Sequence, residues 1–154
     1  MTWRDIPALA ELEPALFADD AWTEQAWWAE LAGRPGRSYV VGEQCGVVVG
    51  YAGVARRGEV ADVMTIAVAP EAQGQGLGSL LMEWLIDAAR CGGAEHLMLE
   101  VRADNMAAQQ LYSKMGFAML SVRRRYYQPG DVDAHIMRLQ LETPTEGMTR
   151  AVTR

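Results

Sequence analysis

The chain has 154 residues, half of them hydrophobic and 22% charged, which fits a single globular domain with room for a core. Its net charge of −6 argues against broad contact with nucleic-acid phosphates. No apolar run is long enough to span a bilayer, and MTWRDIPALAELEP lacks the cationic start and apolar stretch of a secretory signal, so neither a membrane span nor export is expected.

In chain order, Asp5 with Pro7 marks a helix start, continued by Leu9, Leu12 and Leu16. Thr23 caps a second helix through Trp27, Trp28 and Leu31, and GRPGR at 33–37 breaks it. The run SYVVGEQCGVVVGYAGVA reads as a β-hairpin turning around Glu43 to Gly46. A third strand, EVADVMTIAVA, ends at Pro70. Leu77, Leu80, Leu81, Trp84, Leu85 and Ala88 then recur at helical spacing, on one expected face, until Gly92 and Gly93. AEHLMLEVR is an apolar strand, expected to be buried on both faces. Asp104 or Asn105 caps a helix that Gly116 closes, and FAMLSVRRRYY and AHIMRLQLE form two last strands. Residues 1–142 are expected to be one domain and 143–154 a polar, flexible tail. Hairpins combined with a strand–helix–strand unit over 63–101 predict an α+β fold, with a mixed sheet containing one parallel pair.

Residues 5–30 hold seven acids and no base, whereas Arg123, Arg124 and Arg125 form a basic triplet. The acidic opening reads first as a solvated helix face; a surface for a cationic partner is the alternative. Cys45 and Cys91, with His96 and His135, show no disulfide or metal-ligand spacing. Free thiols in a reducing cytoplasm, and no metal, are expected.

The segment VAPEAQGQGLGSLL places Gly74, Gly76 and Gly78 between a strand and a helix. Backbone amides there can approach an anion closely, and the first helical turn adds unpaired N–H groups. No Gly-Lys-Ser/Thr follows, so the loop is not a P-loop. The G-x-G-x-G spacing also differs from the dinucleotide G-x-G-x-x-G, and three strands without a helix precede it. Alone, the loop reads by default as a structural turn.

TIAVAP, the pattern Q-x-x-G-x-G over Gln73–Gly78, and NMAAQQLYSKMGF after it resemble the GNAT family of acetyl-CoA-dependent N-acetyltransferases, over nearly the whole chain to about residue 141. LEVRADNMAAQQLYSKMGF, RRRYYQPGDVDAHIM and AWTEQAWW are similar to its bacterial RimI branch. That resemblance implies a twisted, mostly antiparallel sheet of about six or seven strands flanked by four helices. It implies acetyl-CoA as acetyl donor. It also implies a protein N-terminus as acceptor, the N-terminal alanine of the eighteenth small-subunit ribosomal protein, with no nucleic acid or membrane partner.

The same resemblance implies roles. Gly74, Gln75, Gly76, Leu77, Gly78 and Ser79 cradle the pyrophosphate beside Gln73, while Ile66, Ala67 and Val68 run along the pantetheine arm. Asn105 contacts the cofactor near its thioester, Glu100 is the general base and Tyr112 the general acid. Trp22, Tyr126 and Tyr127 wall the acceptor groove. Gly74 and Gln75 stand where similar sequences carry arginines, and Ala21 where they carry proline. In isolation Glu100 reads as a strand-end acid paired with Arg102, Tyr112 as a residue packed on the sheet, and Tyr126 and Tyr127 as packing aromatics; the resemblance reverses the first two. Three other activities remain open: acetylation of small amines or lysine side chains, acetyl-CoA binding without turnover, and nicotinamide chemistry.

Overall fold

Two N-terminal helices open the fold where the sequence predicts them. Helix α1 (Ile6–Leu16) has Pro7 in its first turn, and α2 (Glu24–Ala32) starts where the Thr23 hydroxyl accepts the Ala26 N–H at 3.2 Å. The computed structural model describes residues 1–142, so the tail expected over 143–154 lies outside the described residues. The chain continues through β1 (Arg37–Gln44), β2 (Val47–Arg57), β3 (Val60–Val68), α3 (Leu77–Cys91), β4 (His96–Arg102), α4 (Met106–Lys114), β5 (Ala118–Tyr127) and β6 (Val132–Gln140). The strands form one sheet in the order β1-β2-β3-β4-β6-β5. Every neighbouring pair is antiparallel except β3 and β4, the parallel pair that a strand–helix–strand connection requires. This is the expected α+β architecture, with six strands and four α-helices among the described residues. No described helix is long and apolar enough to cross a membrane.

The sheet has a core on each face. On one, Ala52, Val54 and Ala61 pack with Leu81, Met82, Leu85 and Ala89 of α3. On the other, Tyr39 and Tyr51 meet Ile6 and Leu9 of α1 and Trp27 of α2. Trp27 stacks edge-on against Tyr39 and Tyr51, with ring centroids 5.6 and 5.3 Å apart. Such pairs add about 0.5–1.5 kcal/mol each beyond burial. The alternation of Tyr51 with Ala52 and Val54 explains why β2 is buried on both faces.

Two expectations need correction. The strand buried on both faces is β2, not β4: in β4, Leu97, Leu99 and Val101 are buried while Glu100 is exposed. The helices α1 and α2 cover β1–β3, and Glu100 faces a cleft. In α3, Leu80 is 62% exposed and leaves the expected stripe. At about 100° per residue it lies far around the helix from Leu81, Leu85 and Ala89, and Met82 takes its place in the core.

Candidate active site

A break in the sheet makes the site. Strands β3 and β4 pair only at Val60↔His96, Ala61↔Leu97 and Asp62↔Met98. Just beyond, Gly53 pairs with Thr65 and Val54 with Val63, which leaves Met64 as an extra residue in β3. A bulge of this kind bends its strand and increases its twist. From Val63 onward β3 therefore diverges from β4 and leaves an edge without a partner strand.

The divergence opens a cleft with two chambers. One, of about 400 Å³, lies between Val63–Ile66 of β3 and Leu99–Arg102 of β4, closed by Tyr127 and by the Leu16–Asp20 end of the α1–α2 connection. The other, of about 410 Å³, runs along Ile66, Ala67 and Val68 to Gln73, Gly74 and Gly78, with α4 as its far wall. Leu16, Phe17, Ile66, Asn105 and Tyr112 border both, so the chambers meet at the start of α4.

The second chamber ends on the glycine loop. Gly74 and Gly76 have φ of +73° and +85°, a left-handed backbone that favours glycine. A Cβ at either would meet nothing within 4 Å, so conformation rather than space requires glycine there. Gly76 caps α3, and the first internal bond of the helix runs from Leu80 N–H to Gly76 C=O at 3.1 Å. The N–H groups of Leu77, Gly78 and Ser79 precede that bond and are left for an anion. The Gln73 amide donates to Val68 C=O at 3.0 Å, and Gln75 accepts from Gln44 at 3.1 Å and donates to Glu71 C=O at 3.0 Å. Both glutamines brace the loop, and Leu77 turns its side chain toward Gly42 and Gly50. These unpaired amides at the end of an open apolar groove fit a diphosphate with a slender tail.

Where the chambers meet, Asn105 caps α4: its Oδ1 accepts the Ala108 N–H at 3.1 Å, which leaves the amide NH₂ as a donor. Tyr112 is 7% exposed and packs on Phe117 with ring centroids 6.0 Å apart. Burial, with a smaller contribution from Tyr127, pushes its phenol up to about 12, so it stays protonated at neutral pH.

Glu100 stands in the wall of the first chamber with its carboxylate 2.7 Å from Arg123. Its alternative partner, Arg102, is occupied elsewhere: it makes two hydrogen bonds to Asp104, at 3.0 and 2.9 Å, and lies over the Tyr127 ring. Tyr127 borders the chamber, and its phenol is raised by burial and then by Glu100. Tyr126 is 46% exposed beside Glu100, whose carboxylate raises its phenol. Trp22 borders neither chamber; it packs on Trp27 at 4.9 Å in the aromatic core. Sequence reasoning missed Leu16, Phe17 and Thr65 in the walls and Arg123 beside Glu100. The run RRRYY was a signal for Arg123, but pairing across strands is invisible without the register.

The acidic opening is only partly a solvated face. Glu13 is 1% exposed, and Glu30 bonds to Arg37 and to the Tyr39 hydroxyl, so two of those acids are structural.

Comparison with known proteins agrees with this geometry. The acetyltransferase (GNAT) family model matches residues 3–117. The chain is 43% identical over 150 residues to the N-alpha-acetyltransferase RimI of Mycobacterium tuberculosis, covering 94% of this chain and 92% of that one. The crystal structure of the ribosomal-protein-S18-alanine N-acetyltransferase from Escherichia coli superposes with a TM-score of 0.83 at 33% identity, covering 96% of this chain and 95% of that one. A putative acetyltransferase from Salmonella typhimurium, solved with its cofactor acetyl-CoA, gives 0.79 at 25% identity over 97% of this chain and 95% of that one. The family match over residues 3–117 and the 43% identity show that the chain belongs to the GNAT acetyltransferase family.

Proposed function

We propose that this protein is a cytoplasmic N-α-acetyltransferase of the RimI type, which moves the acetyl group of acetyl-CoA directly onto the N-terminal alanine of ribosomal protein bS18. The observation that carries the reading is the two-chambered cleft, with a groove for a diphosphate-bearing tail on one side and Glu100 on the other. The relatives support the acceptor: the matched Mycobacterium tuberculosis protein is an N-alpha-acetyltransferase and the matched Escherichia coli structure an S18-alanine N-acetyltransferase.

Acetyl-CoA, when bound, supplies an activated acetyl thioester. The N–H groups of the first turn of α3, with Gly74 and Gly76, hold its diphosphate, and Ile66, Ala67 and Val68 flank its arm. The Asn105 amide orients the reacting end. An α-ammonium group has a reference pKa of about 7.7–8.0, so modest help suffices to free its lone pair. Glu100 takes that proton, directly or through one water. As the C–N bond forms and the C–S bond breaks, Tyr112, kept protonated by burial, gives its proton to the departing sulfur, and the second proton shed by the nitrogen restores the phenol. Tyr127 and the Leu16–Asp20 segment enclose the incoming chain end.

Mass spectrometry of ribosomal proteins from cells with and without the gene tests this reading. Loss of the acetyl group from the bS18 N-terminus, restored by the intact gene but not by Glu100→Gln, is expected. An unchanged bS18 N-terminus would refute the acceptor assignment.

A further inference from the structure

We infer that Glu13 is a positioning residue whose buried carboxylate clamps the α1–α2 connection into the wall of the acceptor chamber. The inference rests on the acceptor reading above for its kinetic consequence, but not for the clamp itself.

Glu13 is 1% exposed, the one buried charged side chain among the described residues. It sits on the stripe of α1 that Ile6, Leu9 and Leu16 continue into the aromatic core. A leucine there would pack without the cost of withdrawing a carboxylate from water. What a leucine cannot do is accept hydrogen bonds. One Glu13 oxygen accepts the backbone N–H of Trp22 at 2.9 Å, and the other accepts the Tyr51 hydroxyl at 2.5 Å. The main-chain carbonyl of Glu13 also accepts the Phe17 N–H at 2.8 Å.

These bonds hold both ends of the segment from Phe17 to Trp22. The connection has no helix or strand of its own, yet Phe17, Ala18, Asp19 and Asp20 form one side of the chamber that holds Glu100. Tyr51 lies on β2, which pairs with β3, and Thr65 of β3 borders that chamber. One carboxylate therefore ties this irregular wall to the sheet. Burial raises the proton affinity of Glu13, and the Tyr51 and Trp22 donors oppose that rise; either protonation state retains acceptors for both.

The test uses the full-length protein with Glu13→Ala and Glu13→Gln. In the Glu13→Gln variant the side-chain carbonyl oxygen can accept from Trp22 while the amide donates to the Tyr51 oxygen, so this variant preserves the clamp without charge. Amide exchange at Trp22, measured without acceptor, should accelerate at least about tenfold in Glu13→Ala and stay near the intact rate in Glu13→Gln. With an alanine-starting peptide, Glu13→Ala should raise the peptide KM at least about fivefold, with kcat and acetyl-CoA affinity within about twofold; Glu13→Gln should restore KM. Unchanged exchange at Trp22, or equal damage in both variants, overturns the clamp. Parallel loss of peptide and acetyl-CoA affinity would make Glu13 merely structural and also overturn it. If Glu13→Ala does not fold, Tyr51→Phe decides: faster Trp22 exchange supports the network and an intact rate refutes it. Because exchange needs no substrate, failure of the peptide reaction alone counts against the acceptor assignment and not against the clamp.

Discussion

The Arg123 guanidinium reaches across β6 to lie 2.7 Å from the Glu100 carboxylate, and the same guanidinium sits over the Tyr126 ring at 5.5 Å. The proposed base therefore already has a cationic partner at the place where the acceptor ammonium must arrive. Both side chains are partly exposed, so the pair contributes little to stability, about 0–1 kcal/mol. Its consequence is kinetic: guanidinium and ammonium compete for one carboxylate.

Arg123→Gln should therefore leave the melting temperature within about 2–4 °C of the intact protein and lower the acceptor KM roughly twofold to fivefold. Steady-state kinetics at fixed saturating acetyl-CoA measures this. A raised KM would mean that Arg123 orients Glu100 instead of competing for it.

Glu100→Gln and Tyr112→Phe each disable one proton-transfer group of the proposed relay while keeping shape. Turnover should fall by about tenfold to a thousandfold in each, with acetyl-CoA affinity retained. Tyr112→Phe keeps the ring contact with Phe117, so its fold should persist. Near-normal turnover in either variant would remove that residue from the chemistry.

Gly76→Ala places a side chain on a left-handed backbone at the entry to α3. The strain is about 1–2 kcal/mol and falls at the amides proposed to hold the diphosphate. Calorimetry with coenzyme A should show affinity weakened by about tenfold or more. Unaltered affinity would place the diphosphate elsewhere.

Alkaline pH should destabilise the fold from about pH 10 upward. Burial raises the phenols of Tyr39, Tyr51 and Tyr112 above their ordinary value, with Glu30 and Glu13 adding to the first two. The unfolded chain ionises its tyrosines near pH 10 and then binds fewer protons than the folded one, so stability falls as pH rises. The expected slope is up to about 1.4 kcal/mol per pH unit for each such tyrosine. Denaturant melts from pH 8 to 11 check it; a flat profile above pH 10 would contradict the burial of these groups.

Local features were legible in the sequence. Thr23 caps α2, Asn105 caps α4, and the glycines bracket α3 as spacing and propensity require. The glycine loop was readable because its demand for left-handed backbone is local. Long-range features were not. The Met64 bulge that opens the cleft depends on which strand pairs with which, and so does the partner of Glu100, which is Arg123 and not Arg102. Glu13 did carry a signal: it falls four residues after Leu9 and three before Leu16, inside the apolar stripe. A count of acids along residues 5–30 places it on the surface because charge, taken alone, says nothing about which helical face holds it.

Two peptides test the central claim most directly: one with a free N-terminal alanine and an internal lysine, the other identical but blocked at its α-amine. With the intact protein and acetyl-CoA, acetylation of the first at its α-amine is predicted to exceed any modification of the second by at least about a hundredfold in kcat/KM, and to collapse in Glu100→Gln. Comparable modification of the blocked peptide, or full activity in the Glu100 variant, would contradict it.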